Sequence, residues 1–136
     1  MDIKELENEL IVPLKKMGFR KKRLTWIKQE EQISIVFNIQ RSQYSPDIWY
    51  YNYGVAVNKL HNGVRGITQC DVLQRFDQYF RGKKLSSHDV ITILEMWINK
   101  YGTIYKLHCS AIEGRLPEFV TSAARRYLTT VYFDSI

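Results

Sequence analysis

A strict alternation of apolar and polar residues over residues 32–41 is the feature that most constrains how this chain can fold. Successive side chains of an extended strand point to opposite faces, so the alternation predicts a strand with one buried face. The two faces are Ile33, Ile35, Phe37 and Ile39 on one side, and Ser34, Val36, Asn38 and Gln40 on the other. Such a strand needs neighbouring strands and a second layer over its apolar face.

A neighbouring strand is predicted over residues 19–28, which form a hairpin with residues 32–41. A tight turn between the two segments pairs Trp26 with Ile35 and Leu24 with Phe37. That register places all four side chains on the core face, so the turn and the apolar pattern agree.

A polar face is predicted on the other side of the same sheet. The hairpin register places Arg23 opposite Asn38 and Lys21 opposite Gln40. A third strand over residues 48–58 adds further polar side chains to this face. The candidate binding residues are Lys21, Arg23, Asn38, Gln40, Arg41, Tyr50 and Asn52. Amides and guanidinium groups on a flat surface can bind a peptide, a carboxylate, a phosphate or a base edge.

Helices are predicted on both sides of the strand region. Apolar residues at spacings of three and four predict a helix over residues 2–17, with a bend or break at Pro13. A second helix is predicted over residues 87–101, preceded by a capping pair of Ser86 and Asp89. Residues 103–113 are predicted to be helical, and a last helix is predicted over residues 117–130. Residues 67–80 are ambiguous between strand and helix, and their later part favours a helix.

These elements predict a single domain of α+β class over residues 1–136. It has an antiparallel sheet of three to four strands, an N-terminal helix, and two to four further helices packed on one face. No stretch reaches the roughly 18 apolar residues of a membrane span, and the charged N-terminus lacks a signal-peptide core. The two cysteines do not form a disulfide framework. We therefore expect a cytoplasmic protein that does not bind membranes.

A basic segment carries the whole net charge of +6. Without it, the remaining 14 Lys and Arg equal the 14 Asp and Glu. The segment consists of Lys15, Lys16, Arg20, Lys21, Lys22 and Arg23. Clustered charges of one sign favour an acidic or anionic partner. They are also typical of a helix C-terminus and of a protected edge strand, so both interpretations stay open.

Three motifs suggest chemistry, but each is better explained by structure. Ser87, His88 and Asp89 are adjacent in a predicted first helical turn, where their side chains diverge instead of forming a catalytic triad. No His or Cys residues have ligand spacing, so we expect no metal and no cofactor. The sequence Gly63-Val64-Arg65-Gly66 fits the GxxG loop of nucleic-acid-binding KH domains, but it follows a strand and is expected to be a plain turn.

Several short motifs in the first half of the chain are similar to those of a known family. They are Gly18-Phe19-Arg20-Lys21-Lys22, Trp26, Asn38-Ile39-Gln40-Arg41-Ser42 and Tyr53-Gly54-Val55. The chain resembles the bacterial domain-of-unknown-function 4304 family over residues 6–58, and more weakly at Cys70, Arg75, Trp97 and Gly102. The resemblance implies an α+β domain with no settled activity, and it supplies no catalytic residues.

Three hypotheses for function follow from these observations. The first is a non-catalytic domain that binds another protein through the polar face or its edge; an immunity or accessory protein beside a toxin system is one form of it. The second is a nucleic-acid-binding domain that uses residues 15–23 and the polar face. The third is an enzyme, for which the sequence offers no cluster of nucleophile, base and orienting residue.

Overall fold

The computed structural model describes residues 2–130, with the backbone alone at Phe80. The α-helices are α1 (Ile3–Lys16), α2 (Ser87–Tyr101), α3 (Ile104–Ile112) and α4 (Ser122–Thr130). The strands are β1 (Arg20–Lys22), β2 (Thr25–Gln29), β3 (Ile33–Arg41), β4 (Trp49–Val57), β5 (Val72–Asp77), β6 (Tyr79–Phe80), β7 (Lys83–Lys84) and β8 (Phe119–Val120). Two single-turn 3-10 helices, Asn58–Leu60 and Ile67–Gln69, lie between β4 and β5.

Six strands form one antiparallel sheet in the order β1-β2-β3-β4-β5-β8, and β6 pairs with β7 in a separate hairpin. The predicted α+β class is confirmed, but the sheet has more strands than the three to four predicted. One apolar cluster joins the sheet to all four helices. Phe37 of β3 shares it with Leu10, Leu94, Leu107 and Leu128, one from each helix, and all five side chains are fully buried. The prediction of a single domain over residues 1–136 stays a prediction, because its ends lie outside the described residues.

The predicted hairpin register is wrong by two residues. Trp26 pairs with Phe37, and Ile35 pairs with Lys28. A shift by an even number of residues keeps every side chain on its predicted face, because side chains alternate with a period of two. Trp26 therefore still faces the core, where its ring packs 5.4 Å from that of Phe37.

Residues 19–28 form two strands where one was predicted. The break lies at Arg23, whose φ of 56° is in the left-handed region. β1 folds back along the free edge of β2, so that Lys21 pairs with Trp26 and Lys22 with Thr25. The predicted placement of Lys21 opposite Gln40, and of Arg23 opposite Asn38, is therefore wrong.

Two further segments differ from prediction because strand pairing overrides local pattern. Residues 72–77 pair with β4 as β5, so the helix favoured in the later part of 67–80 does not form. Residues 119–120 pair with β5 as β8, so the last helix begins at Ser122 and not near Pro117.

The other predicted helices are found close to their expected positions. α2 begins with the predicted capping box, in which Ser86 and Asp89 exchange side-chain and backbone hydrogen bonds. α3 lies within residues 103–113, as predicted. α1 continues through Pro13 to Lys16, so the helix is not broken there.

The sheet has an inner face under the helices and an opposite face that we call the outer face. The segment of residues 58–70 folds back over one half of the outer face. A Cβ placed on Gly54, an outer-face position of β4, would lie 2.6 Å from Sγ of Cys70. Val36 and Ala56 on the same half are fully buried. The other half of the outer face carries polar side chains and is the candidate site.

Candidate functional site

One row of paired residues runs across the open half of the outer face. In strand order from β1 to β5 it consists of Lys22, Thr25, Asn38, Asn52 and Arg75. Neighbouring strands lie about 4.8 Å apart, so the backbones of Lys22 and Arg75 are separated by about 19 Å. The row therefore has a cation at each end and amide or hydroxyl groups between them.

Four side chains of this region form what we call the amide–arginine network: Asn38, Gln40, Asn52 and Arg75. Asn52 is fully buried at its centre. Its Nδ2 donates to Oδ1 of Asn38 at 3.0 Å and to Oε1 of Gln40 at 3.1 Å. Its Oδ1 accepts a hydrogen bond from Nε of Arg75 at 3.0 Å. Every polar atom of the Asn52 side chain is therefore engaged, as burial of an amide requires.

The guanidinium of Arg75 is held on three sides. Nε is bonded to Asn52, and Nη2 donates to Oε1 of Gln40 at 2.9 Å. Cζ lies 4.7 Å from the ring centroid of Tyr50, so the planar cation stacks on the aromatic face. Among residues 2–130, Arg75 has no ion pair and no hydrogen bond from Nη1. The network thus presents a fixed cation on an exposed surface.

Three of the seven candidate binding residues join the amide–arginine network, and a fourth borders it. Asn38, Gln40 and Asn52 are hydrogen-bonded members, and Tyr50 supports the Arg75 guanidinium. The placement predicted for these four residues agrees with the β3–β4 register, which pairs Asn38 with Asn52 and Gln40 with Tyr50.

The other three candidate binding residues lie elsewhere. Lys21 is on the inner face, where its Nζ forms an ion pair with Glu7 of α1 at 2.7 Å. Arg23 lies in the turn between β1 and β2. Arg41 pairs with Trp49 on the inner face, and its Nε donates to the backbone oxygen of Pro46 at 2.9 Å.

The basic segment does not point in a single direction. Lys15 and Lys16 are exposed in the last turn of α1. Arg20 and Lys22 alternate with Lys21 along β1, so they lie on the outer face. Only part of the segment can therefore contribute to one binding surface.

Sequence reasoning missed Arg75 and Thr25 as members of the polar row. Thr25 contributes its Oγ1, which accepts from Nδ2 of Asn38 at 2.9 Å. Arg75 lies in a segment whose apolar residues recur at spacings of three and four, which is typical of a helix. Its neighbour Asp77 lies on the same face and introduces one acid near the network, where its Oδ1 accepts from the Tyr79 amide.

A buried carboxylate at the other end of β5 was also missed. Asp71 is 2% exposed, and its Oδ2 accepts from the Val57 amide at 2.8 Å. The same oxygen lies 2.8 Å from Nε2 of His61, and Oδ1 accepts from the Thr121 hydroxyl at 2.9 Å. These contacts link β4, the segment of residues 58–70 and the start of α4, so the buried carboxylate has a structural role.

The motifs that suggested chemistry have structural roles. Hydrogen bonds from the backbone and the hydroxyl of Ser86 hold the pKa of Asp89 below its ordinary value, as a helix cap requires. The side chain of Gln69 bonds to the backbone of Gly63 and Arg65 and so closes the GxxG turn internally. Within the described part of the chain, no group of three or more His, Cys, Asp or Glu could hold a metal ion.

Comparison with known families matches residues 11–123 to the family described as Domain of unknown function (DUF4304). The chain belongs to this family. The match extends beyond residues 6–58, where the sequence motifs are clearest, and it includes all members of the amide–arginine network. Comparison with curated proteins and with solved structures finds no similar chain. Across residues 2–130, no helix is long and apolar enough to cross a membrane.

Proposed function

We propose that this domain is a non-catalytic interaction module that binds an acidic segment of another protein on the open half of its outer face. An immunity or accessory protein that binds a partner in this way is one form of the proposal. Arg75 is the anchor of the interaction, and the amide–arginine network holds it in position.

The observation that carries the proposal is the fixed orientation of Arg75. Two hydrogen bonds and one aromatic stack restrain a side chain that would otherwise lose rotamer freedom on binding. Pre-organisation of this kind lowers the entropic cost of association. Arginine and tyrosine are also enriched among the residues that contribute most to protein interfaces.

The chemistry of the surface favours an acidic partner. A guanidinium binds a carboxylate through paired, charge-assisted hydrogen bonds, and the donors at Nη1 of Arg75 are directed away from the network's own bonds. Lys22 offers a second cation about 19 Å away along the same row. An extended segment of about six residues covers that distance, so two acids at its ends would meet both cations.

Nucleic-acid binding is the second candidate, and one observation supports it. Arg20, Lys22 and Arg75 share the outer face with an aromatic side chain, Tyr50, and such combinations bind single strands. The pairing of Lys21 with Glu7 removes one of the six cations from the surface that this candidate needs.

The test is capture of partners from a native lysate by three immobilised proteins: the wild type, Arg75→Gln and Arg125→Gln. Arg125 is an exposed arginine of α4 and belongs neither to the row of paired residues nor to the amide–arginine network, so its variant controls for loss of one positive charge. We expect a protein that the wild type and Arg125→Gln retain and that Arg75→Gln loses. Equal retention by all three would refute the proposal.

Nuclease treatment of the lysate separates the two candidates. A partner that stays bound after the treatment is held by protein contacts. Loss of all partners on treatment, together with recovery of nucleic acid from the untreated sample, would favour the second candidate. Its binding would then fall steeply with salt concentration.

A further inference from the structure

A groove runs along one side of α2, on the opposite side of the sheet from the outer face. It consists of two adjoining cavities of about 370 and 340 Å³, which share Arg81, Ile93 and Met96. One wall is α2, and the other is formed by the end of β5 together with the β6–β7 hairpin. The groove is separate from the open half of the outer face.

The α2 residues of the groove form one continuous stripe. They are Asp89, Thr92, Ile93, Met96, Trp97 and Lys100. Their spacing of three and four places them on one face of the helix. The eleven residue steps from Asp89 to Lys100 span about 16 Å at the rise of an α-helix. The groove is therefore as long as three helical turns.

The floor of the groove is apolar and partly rigid. Trp97 is 4% exposed, and its Nε1 donates to Oε1 of Gln74 at 2.9 Å, which fixes the indole against β5. Phe76 and Ile93 continue the floor. Met96 is 58% exposed despite its apolar side chain, and methionine adapts readily to different partners.

The rim of the groove is positively charged. Lys100 lies at one end, Lys83 at the other, and Arg81 between them. Asp89 is the one acid among the described residues that line the groove, and it is engaged by the Ser86 cap. An apolar floor with a cationic rim complements a ligand with an apolar face and acidic flanks.

We propose that this groove binds an amphipathic helix of a partner protein, with apolar residues on one face and acidic residues on its flanks. The length of the groove matches a helix of about eleven residues. A second copy of this chain is a poorer occupant, because the net charge of +6 and the cationic rim would be repelled by the same charges on the copy.

The test uses dye-labelled 16-residue peptides and fluorescence anisotropy with the purified protein. The first peptide carries Leu at helical spacing on one face and Glu on both flanks, and the second carries Lys in place of Glu. The variants are Met96→Glu and, as a control, Val12→Glu. Val12 is an apolar side chain of α1 with a similar exposure of 59% and lies outside the groove.

We expect saturable binding of the acidic peptide by the wild type and by Val12→Glu, with at least about tenfold weaker binding by Met96→Glu. The Lys peptide should bind at least about tenfold more weakly to the wild type. Equal binding of both peptides, or equal binding by both variants, would overturn the proposal.

Two other outcomes would show that the acidic peptide binds elsewhere or that a second copy of the chain occupies the groove. Arg75→Gln is measured in the same assay to test the outer face. If Arg75→Gln abolishes peptide binding and Met96→Glu does not, the peptide occupies the outer face and the groove proposal fails. If sedimentation shows a wild-type dimer that Met96→Glu dissociates, a second copy occupies the groove and the proposal is likewise overturned. The groove proposal can fail in either way without affecting the capture experiment on Arg75.

Discussion

The substitution Asn52→Ala tests whether the amide–arginine network holds the open half of the outer face together. Asn52 is fully buried and makes three side-chain hydrogen bonds, to Asn38, Gln40 and Arg75. The substitution removes all three, and among the described residues the guanidinium then keeps Gln40 and the Tyr50 ring as its supports. Stability and the order of Arg75 should therefore decrease together.

The size of the effect follows from the three bonds. Each of the two amide–amide bonds contributes about 1 kcal/mol, and the bond from the charged guanidinium contributes about 1.5–3 kcal/mol. Gln40 and Arg75 are exposed and recover part of their bonding from water, which reduces the loss. We expect the free energy of unfolding to fall by about 2–4 kcal/mol, or about 10 °C in melting temperature.

Urea denaturation and thermal melting of Asn52→Ala measure this loss. The control is Asn62→Ala, because Asn62 is an exposed loop residue whose truncation should change stability by less than about 0.5 kcal/mol. The NMR signal of the Arg75 Nε–H should also lose its slow exchange with water in Asn52→Ala. Equal stability of the two variants, together with an unchanged Arg75 signal, would show that the network does not hold this surface together.

Three further predictions concern the buried end of β5. Asp71→Asn should lower the free energy of unfolding by about 2–3 kcal/mol, because a neutral amide replaces a buried carboxylate and its single oxygen cannot accept from both the Val57 N–H and the Thr121 hydroxyl. Unchanged urea denaturation would contradict this. Gly54→Ala should lower the free energy of unfolding by about 1–3 kcal/mol, because the added Cβ would clash with Cys70, and combining it with Cys70→Ala should recover part of that loss. An equal loss with Cys70 and with Ala at position 70 would contradict the clash. Burial, aided by the Asp71 charge, raises the pKa of the Cys70 thiol from 9.0 to about 12. Above about pH 9 the unfolded chain releases the thiol proton while the folded protein keeps it, which favours the unfolded state. The free energy of unfolding is therefore unaffected by this thiol below about pH 9 and falls as the pH rises towards 12. The urea midpoint should fall over that pH range in the wild type and fall less in Cys70→Ala. An equal decrease in the two proteins would contradict a role for the thiol.

The sequence predicts most of the fold because its strongest patterns coincide with strands and helices that the structure contains. The alternation of residues 32–41 is the central strand β3, and the capping pair marks the start of α2. Two of the misassigned segments share one cause. β5 is a strand because β4 offers it an edge, and β8 is a strand because β5 offers it the next edge, and no local spacing reports that a distant edge is available.

The candidate site is predicted in part for a related reason. Asn38 and Asn52 share a face whatever the exact register, because an even shift preserves sidedness. The predicted position of Lys21 is wrong because the turn at Arg23 reverses the chain, and neither glycine nor proline marks that turn in the sequence. Arg75 could have been found from the alternation of residues 72–77, had the apolar Leu73 on the outer face not obscured it.

The proposed binding surface is the open half of the outer face. The most direct measurement is a two-dimensional NMR titration of the domain with the purified partner retained in the capture experiment, following side-chain N–H signals. We expect the signals of the Arg75 Nε–H and of the Gln40 and Asn52 amide groups to shift in a saturable manner. Shifts confined to Lys15, Lys16 or the α2 groove, with those signals unchanged, would contradict it.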